Sequence, residues 1–214
     1  MSPKPRQTTV LVTGCSENSI GSALAAEFHR RGCRVFATVR DAAKATHLSA
    51  IGITDIVILD VASPASVAAA TASVRAAIIG TADDDDDGVV VGLDILVNNA
   101  GVGYSATFLD SDIAACRHLF DVNVWGVVAV TKAFAPLLVA SGRGRVVNIG
   151  SIFGDLHPPF TSFYNATKAA LRSLSTSMRV EMAPLGVKVT YVSGNGRTAP
   201  FSGSVPKVSM LLTV

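Results

Sequence analysis

The sequence predicts an α/β protein built on a doubly wound parallel sheet with helices on both faces. Short, β-rich apolar runs alternate with longer Ala- and Leu-rich stretches along most of the chain. The short runs are almost continuously hydrophobic rather than alternating, as strands are when both sheet faces are covered. Hydrophobic residues make up 49% of the 214 positions and charged residues 16%, which suits a large core in one α/β domain and is short for two. Repeated βα units imply right-handed crossovers, and hence the double winding.

The elements follow in order. Residues 8–14 (TTVLVTG) read as the first strand, and 19–32 as a helix that Gly32 ends. Residues 33–39 form a second strand, followed by a short helix near 41–50. Residues 55–60 (DIVILD) form a third strand and 63–79 a third helix. A fourth strand at 93–99 precedes a long helical region at 111–141; a fifth at 144–151 precedes a helix at 162–184; a sixth lies at 187–192. No solenoid-period repeat and no linker divides residues 1–214, so a single domain is expected. The low-complexity segment 80–92 (GTADDDDDGVVVG) reads as an acidic surface loop.

Charge and cysteine content exclude several classes. The net charge is +2, but Asp83 to Asp87 hold five of the sixteen acids, leaving 18 Lys+Arg against 11 acids elsewhere, a balance of +7. That suits a phosphate-bearing small molecule, yet no Lys/Arg stripe of the kind nucleic acid requires is present. Cys15, Cys33 and Cys116 are odd in number and lack metal-site spacing, as expected of buried thiols in a reducing compartment. None of His29, His47, His118 or His157 has metal or triad spacing; His157, beside HPPF, is a candidate for a substrate mouth. The N-terminus lacks an apolar signal core, and no stretch approaches 18 uninterrupted apolar residues, so a cytoplasmic protein without an integral membrane span is expected.

The first strand runs straight into TGCSENSIGSALA, which places Gly14, Ser16, Ile20 and Gly21 at a strand-to-helix turn. Gly14 permits the tight turn, Gly21 permits close packing of helix on sheet, and the helix N-terminus offers N–H groups to a phosphate. Val39 and Arg40 follow the second strand, where an NAD-preferring site would carry an acid against the ribose hydroxyl. An arginine there pairs with a 2′-phosphate, which points to NADP(H). Asp60, with Val61 after it, suits an adenine contact, a helix cap near Ser63, or both.

Six motifs then occur in order: TG…IG at 13–21, LDV at 59–61, NNAG at 98–101, NVWG at 123–126, GSIFG at 150–154 and YNATK at 164–168. Together they resemble the short-chain dehydrogenase/reductase family in its single-domain, Rossmann-like form, over residues 8 to about 198. Within it the chain looks like NADPH-dependent carbonyl reductases of the acyl-dihydroxyacetone-phosphate reductase and secondary-metabolite ketoreductase type. The resemblance implies a catalytic set of Asn123, Ser151, Tyr164 and Lys168: Tyr164 exchanges the proton, Ser151 orients the carbonyl, and Asn123 holds a water linked to Lys168. It also implies cofactor contacts from Asn99, Ala100, Gly101 and Thr198, with Lys132 a further candidate. Residues at i and i+4 share a helical face, so the Lys168 ammonium can sit near the Tyr164 phenol and is expected to draw its pKa down from about 10 toward neutrality.

Two departures from the family pattern stand out. The middle glycine of the phosphate turn is absent, with Asn18 and Ser19 in that region; asparagine tolerates positive φ and can substitute. After the sixth strand, SGNGRTAP and the short tail 199–214 leave too few residues for the family's lid and seventh strand. Alternatives to a small-molecule ketone or aldehyde reductase therefore stay open: a non-redox cyclase, isomerase or dehydratase on the same scaffold, or a non-catalytic shortened relative. The 111–141 and 162–184 helices are expected to form a homodimer interface.

Overall fold

A computed structural model describes residues 6–79 and 92–194. Its centre is a six-stranded, wholly parallel sheet: β1 Thr9–Val12, β2 Arg34–Val39, β3 Ile56–Ile58, β4 Ile95–Asn98, β5 Arg145–Ile149 and β6 Lys188–Val192, in the order β3-β2-β1-β4-β5-β6. This is the Rossmann-like arrangement. The chain first winds outward from β1 to β3, then returns and continues from β4 to β6, so the winding reverses between β1 and β4.

Side-chain alternation along each strand sends neighbouring apolar residues to opposite faces, and both are buried. On one face Val10, Val12, Val35, Ala37, Val97 and Val147 pack under α1 (Ile20–Arg30) and the short α2 (Thr46–Ser49). On the other, Leu11, Phe36, Leu96, Val146 and Val189 pack under α3 (Pro64–Ile79) and α5 (Gly126–Ala140), with Met178 and Met182 of α6 (Ser162–Met182) against them.

The strands are shorter than the apolar runs suggest, with residues missing at both ends. At the carboxyl ends Thr13 and Gly14, Leu59 and Asp60, Asn99, and Gly150 and Ser151 lie past the strands, beside the crevice or the reactive corner described below. The expected 111–141 helix is also interrupted. Helix α4 (Ile113–Phe120) and α5 are joined by a π turn, Asp121–Trp125, in which the Gly126 N–H bonds back to the Asp121 carbonyl. An ordinary α-helix spreads three consecutive residues over about 200° of its surface. The π turn buries Val122, Asn123 and Val124 together.

The continuous run Ile113–Ala140 is long and apolar enough to cross a membrane by length and composition, with a mean hydropathy of 1.7. However, 56% of that window is buried inside the protein, as in a core helix. The acidic loop at 80–91, Thr198 and the tail 199–214 lie outside the described residues.

Candidate active site

A crevice of about 340 Å³ opens at the carboxyl edge of the sheet, where the winding reverses. Its floor depends on two glycines. Gly14 has φ +74°, and a Cβ there would stand 2.9 Å from the Ala100 Cα. A Cβ on Gly21 would stand 2.3 Å from the Gly14 carbonyl oxygen and 2.5 Å from Asn99 Nδ2. Asn18 adopts φ 57°, supplying the left-handed turn in the region where the middle glycine is absent. Ser19 then caps α1, its Oγ accepting the Ser22 N–H at 3.0 Å. Ser16, Ile20, Arg40, Asp60, Val61, Ala100 and Gly101 also line the crevice. Arg40 is exposed and makes no ion pair among the described residues. Asn99 bridges β4 to β1 by donating to the Thr13 and Gly14 carbonyls at 2.8 and 3.2 Å. Its inner neighbour Asn98 bonds Asn148 on β5 and Thr131 on α5.

Past Gly101 the crevice meets a second group of side chains. Ser151 ends β5's run in extended backbone, and its Oγ accepts the Phe153 N–H at 3.2 Å, which leaves its own proton free to donate. Tyr164 and Lys168 come from the first turns of α6, with the Lys168 Nζ 5.7 Å from the Tyr164 ring centre. Phe153 stands edge-on to that ring at 6.1 Å. Lys168 is 7% exposed; its ammonium donates to the Ile149 carbonyl at 3.1 Å and makes no ion pair among the described residues. It lies 3.8 Å from the point where a Cβ on Gly101 would sit. Asn123 holds this corner from below: its side-chain amide exchanges two 2.9 Å hydrogen bonds with the Val102 backbone and donates to Thr167 Oγ1 at 3.2 Å.

The electrostatics run opposite to the expectation for the phenol. Burial pushes Tyr164 above its ordinary value; the Ser151 hydroxyl pulls it down and the nearby Tyr191 phenol adds to the rise. Lys168 is desolvated as well, and burial pulls it down to about 8. In the ligand-free site the phenol therefore keeps its proton firmly, and the less certain proton is the lysine's.

The sequence model of the short chain dehydrogenase family matches residues 8–201. The chain belongs to that family. Among its relatives, a short-chain dehydrogenase of Penicillium ochrochloron is 42% identical over 184 residues, which is 86% of this chain and 64% of that protein. An NADPH-dependent 1-acyldihydroxyacetone phosphate reductase of Schizosaccharomyces pombe is 38% identical over 187 residues, 87% of this chain and 59% of that protein. The crystal structure of a short-chain dehydrogenase from Streptomyces avermitilis matches with a TM-score of 0.80 at 33% identity, covering 94% of this chain and 70% of that one. The chain thus spans 59–64% of the length of the two sequence relatives.

Within this short-chain dehydrogenase, Ser151, Tyr164, Lys168 and Asn123 meet at one corner, and Gly14, Ser16, Ile20, Gly21, Arg40, Asp60, Val61, Asn99, Ala100 and Gly101 lie along or under the adjoining crevice. Lys132 does not join them. Thr131, one residue earlier, turns its hydroxyl inward to Asn98, so the next position on the helix projects outward and Lys132 is exposed. Asp60 makes an Asx turn to the Ala62 N–H, while the Ser63 hydroxyl takes the N–H of Ser66 at the start of α3. His157 is exposed on the loop before α6. Sequence reasoning missed Thr13, whose hydroxyl accepts the N–H groups of both Asn99 and Ala100, and it missed Tyr191. Thr13 was available as the residue before the turn glycine; nothing local marks Tyr191, whose partner lies 40 positions away.

Proposed function

We propose that this protein is an NADPH-dependent reductase of a ketone or aldehyde on a small, lipid-like or secondary-metabolite substrate. The observation that carries this reading is the meeting of a proton-bearing phenol, a serine hydroxyl able to donate and a buried ammonium with no ion pair among the described residues, beside a glycine-floored crevice. The crevice suits a dinucleotide: without Cβ atoms at Gly14 and Gly21 the turn packs closely on Ala100 and Asn99 beneath it, and the amino end of α1 faces it. Arg40 would take the 2′-phosphate, Asp60 and Val61 the adenine side, and Asn99, Ala100 and Gly101 the inner end. The NADPH named for the fission-yeast relative supports the choice of cofactor.

When bound, reduced nicotinamide supplies the hydride to the carbonyl carbon. The chain's own residues do the rest. Ser151 Oγ and Tyr164 Oη both donate to the carbonyl oxygen, and the Tyr164 proton passes to it as negative charge develops. A phenol held above its usual pKa is already in the protonated form this direction needs. The phenolate left behind is stabilised by the Lys168 ammonium, and a solvent proton restores it. Asn123 keeps the Val102 segment and α6 in register, so that Gly101 and Lys168 stay adjacent.

Tyr164→Phe should abolish carbonyl-dependent NADPH oxidation while fluorescence titration shows NADPH still binding. Arg40→Ala should weaken NADPH binding by roughly 10–100-fold and leave NADH little changed. Product formation without NADPH oxidation would favour a cyclase, isomerase or dehydratase instead. We further read the chain as one NADP-binding domain, cytoplasmic, and homodimeric through the face carrying α4, the π turn and α6. There Ile113, Phe120, Trp125 and Phe163 line an apolar groove of about 260 Å³, with Trp125 61% exposed. A monomeric sedimentation coefficient would refute the dimer.

A further inference from the structure

Gly150 and Ser151 lie just past the end of the β5–β6 ladder. The Gly150 N–H still bonds the Val192 carbonyl, at 2.8 Å, and the Ile152 N–H bonds the Gly194 carbonyl, at 3.0 Å. Between them, the Ser151 N–H and C=O have no backbone partner on β6, although the C=O also accepts the Gly154 N–H at 3.1 Å. Ser151 is almost fully extended, at φ −159° and ψ 150°, so its own N–H and C=O point to the same side. The group that meets them is the Tyr191 hydroxyl, which accepts the Ser151 N–H at 3.3 Å and donates to the Ser151 carbonyl at 3.4 Å. One side-chain oxygen stands where a neighbouring strand would otherwise close the ladder.

The chain is shaped around this ring. A Cβ on Gly150 would lie 2.1 Å from Tyr191 Cζ, 2.2 Å from its hydroxyl oxygen and 2.3 Å from Cε2. Any residue other than glycine at 150 would displace the ring and its hydroxyl.

We propose that Tyr191 is a positioning residue, its hydroxyl bridging the Ser151 N–H and C=O to fix the extended backbone that aims Ser151 Oγ. The backbone torsions at Ser151 decide where Cβ and Oγ stand, and Oγ is also tied to the Phe153 N–H. Loss of the bridge releases the Ser151 N–H and leaves its carbonyl held by the Gly154 N–H alone, which loosens the direction of that hydroxyl.

The catalytic part of this inference rests on the reductase reading above; the structural part does not, and the tests separate the two. In ligand-free protein, amide hydrogen exchange of Tyr191→Phe should show the Ser151 N–H exchanging about tenfold faster, with Gly150 and Ile152 unchanged, because their acceptors are backbone carbonyls. Gly150→Ala, which keeps the phenol but pushes it away, should accelerate the same Ser151 amide. Protection at Ser151 unchanged in both folded variants overturns the bridge.

With the reductase assay, Tyr191→Phe should lower kcat and kcat/KM alike by about fivefold, the loss of a typical net hydrogen bond. The same substitution on a Ser151→Ala background should cost nothing further in kcat. An equal cost on both backgrounds shows that Tyr191 does not act through Ser151. If Ser151→Ala itself leaves turnover intact, the reductase reading fails, while the exchange result still decides the bridge.

Discussion

Two charged side chains are buried at opposite ends of the same sheet, and they are treated in opposite ways. At the amino end Asp94 is 2% exposed and saturated: it accepts from Arg6 at 2.6 Å, from Arg143 at 2.9 and 3.1 Å, and from the Thr9 N–H at 2.8 Å. Burial alone would raise its carboxyl, but the Arg143, Thr9 and Arg6 contacts outweigh that and hold it below its ordinary value. At the carboxyl end Lys168 is 7% exposed with one carbonyl partner, and burial brings it down to about 8. A saturated charge is fixed in one protonation state and ties elements together. An unsaturated one costs stability and stays within reach of a proton at physiological pH.

If the contrast is right, Lys168→Met should separate activity from stability most sharply. Turnover should fall by about 10²–10⁴-fold, while the melting temperature at pH 7 holds or rises. A variant that loses stability along with activity would make Lys168 a structural residue. Next, Asp94→Ala should reduce unfolding free energy by about 2–4 kcal/mol, because it strands the Thr9 N–H and two guanidinium groups. Its folded fraction should turn over at the normal rate, as measured by denaturant melts and active-site-normalised kinetics.

The pH dependence of stability sharpens the comparison further. Below about 8 the folded state must hold a charged Lys168 where burial disfavours it, and unfolded lysine titrates near 10.5. Unfolding free energy should therefore rise between these values, on the order of 3 kcal/mol, and this rise should vanish in Lys168→Met. Asp94 acts at the other limb. Its contribution is complete above the unfolded value of 3.8 and is lost as pH falls through the lower folded one, so Asp94→Ala should flatten the acid limb. The smallest effect is expected for Arg143→Ala. Its side chain is 50% exposed and Arg6 still pairs the carboxylate, so a loss of about 1 kcal/mol or less should follow.

Both buried charges bear on what could be read from the chain alone. Tyr164, Lys168 and Ser151 were legible because a family pattern marks them, and the i, i+4 spacing gives the pair a local reason. Asp94 was not, because its partners Arg6 and Arg143 lie 88 and 49 positions away and no short motif joins them. The long helix at 111–141 was read as continuous because its hydrophobic content hides the phase change; the π turn shows only in the bond from the Gly126 N–H back to the Asp121 carbonyl. The direction of the Tyr164 shift was misjudged for a related reason. Helical spacing says that the ammonium is near, but the depth of burial of both groups sets the sign.

What the sequence determined by itself was local and periodic: six apolar runs long enough for buried strands, helices between them, glycines where the backbone must turn or touch, and a marked tyrosine, lysine and serine. Each follows from torsional preference or from the alternation of side chains, which act over a few residues. The tertiary structure decided where strands stop and bend outward, that Lys132 faces solvent, which buried charge is paired, and that a phenol from β6 meets the backbone of Ser151. Those outcomes depend on packing and desolvation between segments tens of residues apart, and free energies of that kind exist only once the sheet has brought its edges together.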